Sequence, residues 1–155
     1  MKTILFDSVK GGTGKTFIAS NFAAVLGEKG YRVMYCDYDS INSFTGLYML
    51  NKDIHTLSDY IDKTVDFENI VYRCEYFKFF STRGCVTTVD KILSYKVFEE
   101  QKKVLEKNYD FIIIDGCVDY ESSKALGNIA DEIIIIATED YFSINSLKMK
   151  GDNNE

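Results

Sequence analysis

The sequence contains no proline and no tryptophan, and it has no long run of apolar residues. A helix that crosses a membrane needs about 20 consecutive apolar residues, so the sequence predicts no such helix. The chain enters a short apolar strand at once, without the features of a secretion signal. We therefore expect a cytoplasmic protein.

Cysteine pairs and basic patches are also missing. The four cysteines form no C-x-x-C pair and are typical of reduced thiols in a cytoplasmic protein. The formal net charge is −6, which argues against broad electrostatic binding to DNA or to an anionic membrane. The lysine pair at 102–103 lies among glutamates, as on a mixed and solvated helix face. We find no clear DNA-binding or membrane-binding segment in this sequence.

What is present is an alternation of strand and helix patterns over 155 residues, the size of one domain. Strands are predicted at residues 2–7, 33–36, 76–81, 111–114 and 133–136, and helices at 16–29, 44–50, 57–63, 66–72, 97–107 and 143–149. Helices that connect parallel strands produce right-handed crossovers. We therefore predict an α/β fold with a doubly wound, mostly parallel sheet and helices on both faces. We expect residues 1–150 to form a single domain and residues 151–155 to be a frayed polar tail.

Apolar spacing predicts which side chains enter the core. Two helices carry an apolar stripe, the first with Ile18, Phe22, Val25 and Leu26, and the helix at 97–107 with Val97, Phe98, Gln101, Val104 and Leu105. Gly30 is expected to end the first helix. The runs at 111–114 and 133–136 are continuous and rich in β-branched residues, so we predict strands that are buried on both faces.

A glycine-rich loop follows the first strand and precedes the first helix. It reads K-G-G-T-G-K-T from Lys10 to Thr16. Glycines tolerate positive φ and have no Cβ, so this backbone can curl around an anion with its N–H groups directed inward. The following helix adds the positive end of its dipole. The expected nucleotide-binding residues are Lys10, Gly11, Gly12, Thr13, Gly14, Lys15 and Thr16, with Lys15 on the phosphates and Thr16 on Mg²⁺.

Acidic residues follow the other strands. Asp37 and Asp39 end the second strand, Asp115 ends the fourth, and Glu139 and Asp140 follow the fifth. Ligands of open α/β sheets bind beyond the carboxyl ends of the strands, so these acids and the glycine loop converge on one crevice. Asp115 is predicted to reach Mg²⁺ through water. Asp37 is equally consistent with a functional role and with a cap of a loop or helix.

Together these motifs resemble those of the MinD/ParA-type ATPases, which have a second lysine, here Lys10, before the glycine pair. The similarity extends over residues 17–30, 32–39, 47–52, 56–61, 109–115 and 130–140. The resemblance implies a P-loop NTPase fold and an Mg²⁺-dependent switch ATPase that dimerises face to face around ATP or ADP, with a protein activator or cargo. It implies catalytic roles for Lys10, which contacts the phosphates bound by the partner, for Lys15, and for Asp39, which orients water. It implies metal contacts from Thr16, Asp39 and Asp115.

The sequence also departs from that family. Gly116-Cys117-Val118-Asp119 stands where relatives usually have a proline-containing segment that ends in glycine, and Glu139 lies in an exit loop that lacks the usual proline. These changes affect the expected rate of hydrolysis more than the binding of nucleotide. Two alternatives follow. One is a degenerate nucleotide-binding or protein-interaction module with little turnover, and the other is an ATPase for metallocofactor assembly, in which Cys85 or Cys117 bridges a metal across a dimer.

Length is a further departure. Family members continue for roughly another hundred residues, within the usual range of domain sizes, so we expect a C-terminally short form of the domain. The additional residues of the family supply further strands and the segment that holds the adenine ring. Without them we expect an open sheet edge and a nucleotide bound mainly through its phosphates. The sequence therefore predicts poor discrimination between ATP and GTP.

Overall fold

The computed structural model describes residues 1–39, 44–48, 53–83, 85, 88–117, 120–140 and 144–145. Strands and helices alternate along most of this length. In chain order the elements are β1 (Lys2–Ser8), α1 (Lys15–Glu28), β2 (Val33–Asp37), α2 (Phe44–Tyr48), α3 (Leu57–Ile61), a 3-10 helix (Phe67–Ile70), β3 (Tyr72–Arg73), β4 (Lys78–Ser81), α4 (Thr88–Asn108), β5 (Phe111–Asp115), α5 (Tyr120–Ile129) and β6 (Glu132–Ile136).

The strands of the described chain form one sheet in the order β3-β4-β2-β5-β1-β6. Neighbouring strands are parallel except for β3 and β4, which are antiparallel. The sheet therefore confirms the predicted α/β fold of the P-loop NTPase type. The register places Phe6 of β1 and Asp37 of β2 on either side of Asp115 in β5, so the carboxyl ends of the three central strands lie together.

Helices cover both faces of the sheet. On one face, α1 packs through Ala19 and Ala23 against a cluster that includes Phe6 and Tyr35. On the other face, α4 and α5 contribute side chains such as Phe98 and Leu126 to a second buried cluster. Burial of apolar surface on both faces stabilises the central strands and fixes the loops at their carboxyl ends.

The inner face of α1 differs from the predicted one. Ile18, Phe22 and Val25 of the predicted stripe are exposed, whereas the two alanines are fully buried. The large side chains of Phe6 and Tyr35 fill the space between sheet and helix, so only small residues fit on the helix face directly above them. The ring of Phe22 still reaches the ring of Phe6 from the side, with 5.4 Å between the centroids.

The end of α1 is as predicted. Gly30 has a φ of 88°, in the left-handed region that favours glycine. The amide of Tyr31 donates to the carbonyl of Leu26, and the amide of Gly30 donates to the carbonyl of Gly27. This pair of hydrogen bonds is the Schellman arrangement, and it satisfies carbonyls that the helix end would otherwise leave unpaired.

Four elements differ from the pattern-based assignment. The predicted strand at 76–81 begins at Lys78, and the two-residue strand β3 before it was not predicted. The predicted helix at 97–107 begins earlier, at Thr88, and its Val104 is exposed although Phe98 and Leu105 are buried. Helix α5 was also not predicted. A two-residue strand is too short for any periodicity to appear, because it exists only through its pairing with β4.

Strand β6 is less buried than its apolar sequence predicts. Ile133 and Ile135 are 51% and 44% exposed, so the prediction of burial on both faces was correct for β5 and wrong for β6. The cause is position, because β6 pairs with β1 on one side and with no other strand of the described chain. In this part of the chain β6 is therefore a sheet edge.

Several predicted features lie outside the described residues. These are the residues after Asp39 in the switch segment (40–43), the turn at position 84, the departure at 118–119, the tail at 151–155 and all but two residues of the helix at 143–149. Within the ranges given above, no helix has both the length and the apolar character needed to cross a membrane.

Candidate functional site

The loop from β1 to α1 has the backbone that its glycines predict. Gly12 and Gly14 have φ values of 77° and 85°, which L side chains rarely adopt. A Cβ added at Gly11, Gly12 or Gly14 would meet no heavy atom within 4 Å. Conformation rather than packing therefore requires glycine at positions 12 and 14, and the loop is open to a ligand. Gly14 is the N-cap of α1, whose N-terminus faces this loop.

Thr13 provides a sign that the loop is built for a ligand. Its hydroxyl oxygen Oγ1 is buried and has no hydrogen-bond partner among the described residues. A buried hydroxyl without a partner is unfavourable, because it loses its hydrogen bonds to water. An anion in the loop would accept a hydrogen bond from this hydroxyl, so the observation fits a phosphate group.

Lys15 forms a buried ion pair with Asp115. The Nζ of Lys15 lies 2.5 Å from Oδ1 of Asp115, and the two side chains are 5% and 0% exposed. The pair joins the first turn of α1 to the end of β5, two elements that the sequence predicted to converge. A lysine ammonium that is buried next to a carboxylate is a cation without a hydration shell, and an incoming anion competes for it directly.

Tyr35, which was not predicted as a site residue, forms a hydrogen bond with the second carboxylate oxygen of Asp115. Its hydroxyl donates a hydrogen bond of 2.8 Å to Oδ2 of Asp115. Burial, reinforced by the nearby carboxylates Asp115 and Asp37, raises the pKa of the Tyr35 hydroxyl well above its usual range. The hydroxyl therefore stays protonated and remains a donor. The only sequence signal for it is a phenol in an otherwise apolar strand.

Asp37 makes a capping contact, which is one of the two roles that the sequence left open for it. Its carboxylate oxygen Oδ2 accepts a hydrogen bond of 2.8 Å from the amide of Thr45 in α2. Burial raises the pKa of Asp37 to about 7, and the hydrogen bond from the Thr45 amide opposes this rise. Asp37 thus ties α2 to the end of β2, next to the buried Asp115.

Asp39 lies in the same cleft as the glycine loop. The cleft has a volume of about 740 Å³, and its lining includes Asp39, Phe44 and Tyr48 together with Lys10, Gly11, Gly12, Thr13, Gly14, Lys15 and Thr16. The rings of Phe44 and Tyr48 are stacked, with 5.4 Å between their centroids. The structure therefore brings Asp39 together with Thr16, its proposed companion on the metal, and it adds an aromatic wall that the motifs do not predict.

Lys10 is held by its own chain. Its Nζ lies 2.7 Å from Oδ2 of Asp140, and the two side chains are 44% and 36% exposed. Thr138 donates a second hydrogen bond to the same carboxylate. The backbone carbonyl of Lys10 also accepts a hydrogen bond of 3.0 Å from the hydroxyl of Ser8. The approach of Lys10 to a partner's nucleotide stays a prediction.

The cysteines proposed for a metal lie apart from the cleft. Cys85 and Cys117 line a separate small cavity with Tyr38, Ser94 and other side chains. Within the described ranges, no three His, Cys, Asp or Glu side chains are grouped so that they could hold a metal ion. A metal bridged across a dimer by Cys85 or Cys117 stays a prediction.

The comparison with known proteins defines the class. A family model with the description AAA domain matches residues 1–149, and the chain belongs to this family. The family model, together with curated relatives such as the cell division protein PomZ, places it with the MinD/ParA-type P-loop ATPases. The predicted family is thereby confirmed.

Individual relatives are similar at low identity. An uncharacterized ATP-binding protein of Methanocaldococcus jannaschii is 29% identical over 155 residues, which are 92% of this chain and 57% of the relative. The cell division protein PomZ of Myxococcus xanthus is 27% identical, over 94% of this chain and 49% of PomZ. The structure of MinD from Pyrococcus horikoshii, in complex with Mg-ADP, superposes with a TM-score of 0.75 at 23% identity, covering 99% of this chain and 65% of that one.

The chain covers only part of the length of its curated relatives. It spans between 19% and 66% of the length of the first curated relatives it matches.

Proposed function

We propose that the chain binds ATP or ADP with Mg²⁺ and acts as a switch ATPase that dimerises around the nucleotide. The observation that carries this proposal is the buried Lys15–Asp115 pair beneath an open glycine loop. A buried ion pair contributes little net stability, because desolvation offsets much of the attraction between the charges. Its position at the helix N-terminus is explained if Lys15 exchanges Asp115 for a phosphate group.

In this proposal each group of loop residues has its own role in binding the nucleotide phosphates. The amides of residues 11–14 and the hydroxyl of Thr13 donate to phosphate oxygens, and Lys15 neutralises their charge. Thr16, Asp39 and Asp115 would hold Mg²⁺, and their oxygen atoms are the ligands that this ion prefers. Mg²⁺, when bound, would reduce the negative charge of the phosphates. Asp39, at the edge of the cleft, orients the attacking water.

Lys10 is available for a second nucleotide. Its ion pair with Asp140 is exposed, and such pairs typically contribute less than about 1 kcal/mol. Little energy therefore opposes its transfer to the phosphates of a partner in a face-to-face dimer. A protein partner is supported by relatives, because MinD of Aquifex aeolicus is described in a complex with MinC and PomZ is described as a cell division protein. We propose that this chain likewise regulates the positioning, partition or assembly of a partner.

Binding is tested by calorimetry with ADP and with a non-hydrolysable ATP analogue, both with Mg²⁺. We expect Lys15→Ala to weaken binding strongly, while Lys29→Ala, at the other end of α1, binds like the wild type. Since Lys15→Ala leaves a buried carboxylate unpaired, a thermal melt must accompany it, and Thr16→Ala serves as a second site variant. Equal binding by folded Lys15→Ala and by the wild type would disprove the assignment of the site. A separate assay of phosphate release from ATP distinguishes an ATPase from a binding module with little turnover.

Dimerisation is tested by light scattering with the same ATP analogue. We expect the analogue to drive dimerisation of the wild type and to leave the apparent mass of Lys10→Ala unchanged, with Lys2→Ala as a matched control because Lys2 also forms an exposed ion pair, with Glu132. A Lys10→Ala variant that dimerises like the wild type would disprove the role of Lys10 in trans without affecting the binding site.

A further inference from the structure

Tyr35 lies between two parts of the proposed site. It is fully buried in β2, two residues before Asp37, and its hydroxyl reaches Oδ2 of Asp115 at 2.8 Å. Its backbone faces Ile113 of β5, whereas Asp37 faces Asp115 itself. The side chain therefore extends along the sheet toward the carboxyl end of β5, where the glycine loop lies.

The ring of Tyr35 packs against two other aromatic rings. Its centroid lies 5.0 Å from that of Phe44 in α2 and 5.4 Å from that of Phe77 before β4. Aromatic contacts of this kind restrict the ring, so the hydroxyl has a fixed position relative to β5. The contact with Phe44 also joins Tyr35 to the segment that follows Asp39.

The two oxygens of Asp115 have different partners as a result. Oδ2 accepts from Tyr35, and Oδ1 faces Lys15 at the glycine loop. We propose that Tyr35 is a positioning residue for Asp115, whose hydroxyl retains Oδ2 and thereby presents Oδ1 to the nucleotide cleft. Oδ1 then holds Lys15 in the absence of nucleotide and is free for an Mg²⁺-bound water when Lys15 moves to the phosphates. This inference rests on the proposed function.

A purely structural role explains the ring but not the hydroxyl. Phenylalanine would make the same contacts with Phe44 and Phe77 and would bury no polar group. A buried phenol has to recover the hydrogen bonds it loses to water, and Tyr35 does so on the carboxylate proposed to act on Mg²⁺. Tyr38 is a matched comparison, because its hydroxyl is also buried but donates, at 3.3 Å, to the backbone carbonyl of Ser94 on the opposite face of the sheet.

The test measures ADP binding by calorimetry with and without MgCl₂, in the wild type, Tyr35→Phe and Tyr38→Phe. The readout is the factor by which Mg²⁺ increases ADP affinity. We expect Tyr35→Phe to reduce this factor roughly tenfold, the scale of one hydrogen bond to a charged acceptor, and to leave Mg²⁺-free binding within about twofold. Tyr38→Phe should keep the wild-type factor. In an Asp115→Asn background, Tyr35→Phe should have no further effect on the factor, since the two residues act together.

The outcomes are distinct. Suppose that Mg²⁺ increases the ADP affinity of the wild type and of Tyr35→Phe by the same factor. That result would overturn the inference and leave the proposed function intact. So would an equal loss of binding with and without Mg²⁺, or an undiminished effect of Tyr35→Phe in the Asp115→Asn background. A wild type that binds no ADP would overturn the proposed function and this inference with it. Circular dichroism checks that the phenylalanine variant, which keeps the ring contacts, has folded.

Discussion

Two neighbouring carboxylates are held in different ways at the end of the central strands. Asp115 pairs with the ammonium of Lys15, while Asp37 accepts a hydrogen bond from a neutral amide, that of Thr45. Burial without a cation favours the neutral form of an acid, which is why the pKa of Asp37 is raised to about 7. The proton of Asp37 should therefore be visible in the pH dependence of stability.

Asp37→Asn is expected to change that pH dependence. Because the pKa of Asp37 is about 7 in the folded state and about 3.9 in an unfolded chain, the folded state binds more protons between these values. The free energy of unfolding of the wild type should therefore fall as pH rises from about 4 to 7, on the order of 3 kcal/mol from this residue. Asparagine cannot ionise but can still accept from Thr45, so the variant lacks this fall.

Urea unfolding at a series of pH values measures the difference between wild type and Asp37→Asn. Asp110→Asn is the control, because the exposed Asp110 has its pKa lowered to about 2 by Arg32. Its contribution is lost only as pH falls below about 4, outside the window of Asp37. Parallel curves for wild type and Asp37→Asn between pH 4 and 8 would contradict the prediction.

At the scale of elements, the features that the sequence predicted correctly are those whose pattern lies within one short segment. The glycine loop, the strands β1, β2 and β5 and the end of α1 at Gly30 were predicted because their patterns depend on a few adjacent residues. Of the acids predicted to converge, Asp37 lies beside Asp115, Asp39 lines the loop cleft and Asp140 pairs with Lys10 of the loop.

The remaining features depend on neighbours distant in sequence. The sheet side chains under α1 decide which of its faces is buried, so alanines replace the apolar stripe. The exposure of β6 depends on its place at the edge of the sheet rather than on its composition. The role proposed for the Tyr35 hydroxyl depends on its hydrogen bond to Asp115, which lies 80 residues away in the chain. No local periodicity of the sequence could predict that contact.

Helix α1 also packs closely against the β3–β4 turn, at Gly27. A Cβ at Gly27 would lie 2.0 Å from the backbone oxygen of Tyr76, so the helix or the turn must move to accept one. Alanine favours a helix over glycine by about 1 kcal/mol, but overpacking costs about 1–3 kcal/mol. We expect Gly27→Ala to lower the free energy of unfolding, as measured by urea denaturation.

Gly127→Ala is the matched control for that prediction. In α5 the added Cβ would meet only the flexible Cδ1 end of Ile133, at 3.3 Å, so helix propensity should dominate and the variant should be neutral or more stable. A Gly27→Ala variant that is as stable as Gly127→Ala would show that α1 and the turn at Tyr76 separate at little cost.

At the scale of the whole molecule, the two outermost strands of the described part of the sheet differ. On one side, the short antiparallel strand β3 covers β4. On the other side, β6 presents the exposed isoleucines Ile133 and Ile135. An edge strand with unpaired amides and carbonyls accepts further strands readily, and this one has no lysine or proline to prevent pairing.

Ile135→Lys should therefore reduce self-association of the chain in the absence of nucleotide. The side chain of Ile135 is already 44% exposed, so a lysine can extend into solvent and should change the free energy of unfolding by no more than about 0.5 kcal/mol. Its charge opposes the approach of a second edge, and light scattering over a range of protein concentrations should show a lower apparent mass than for the wild type. Ile92→Lys controls for solubility in general, because Ile92 is exposed to a similar degree but lies on helix α4 rather than on β6. If both lysine variants change the apparent mass equally, or neither does, the edge of β6 is not the surface through which the chain associates.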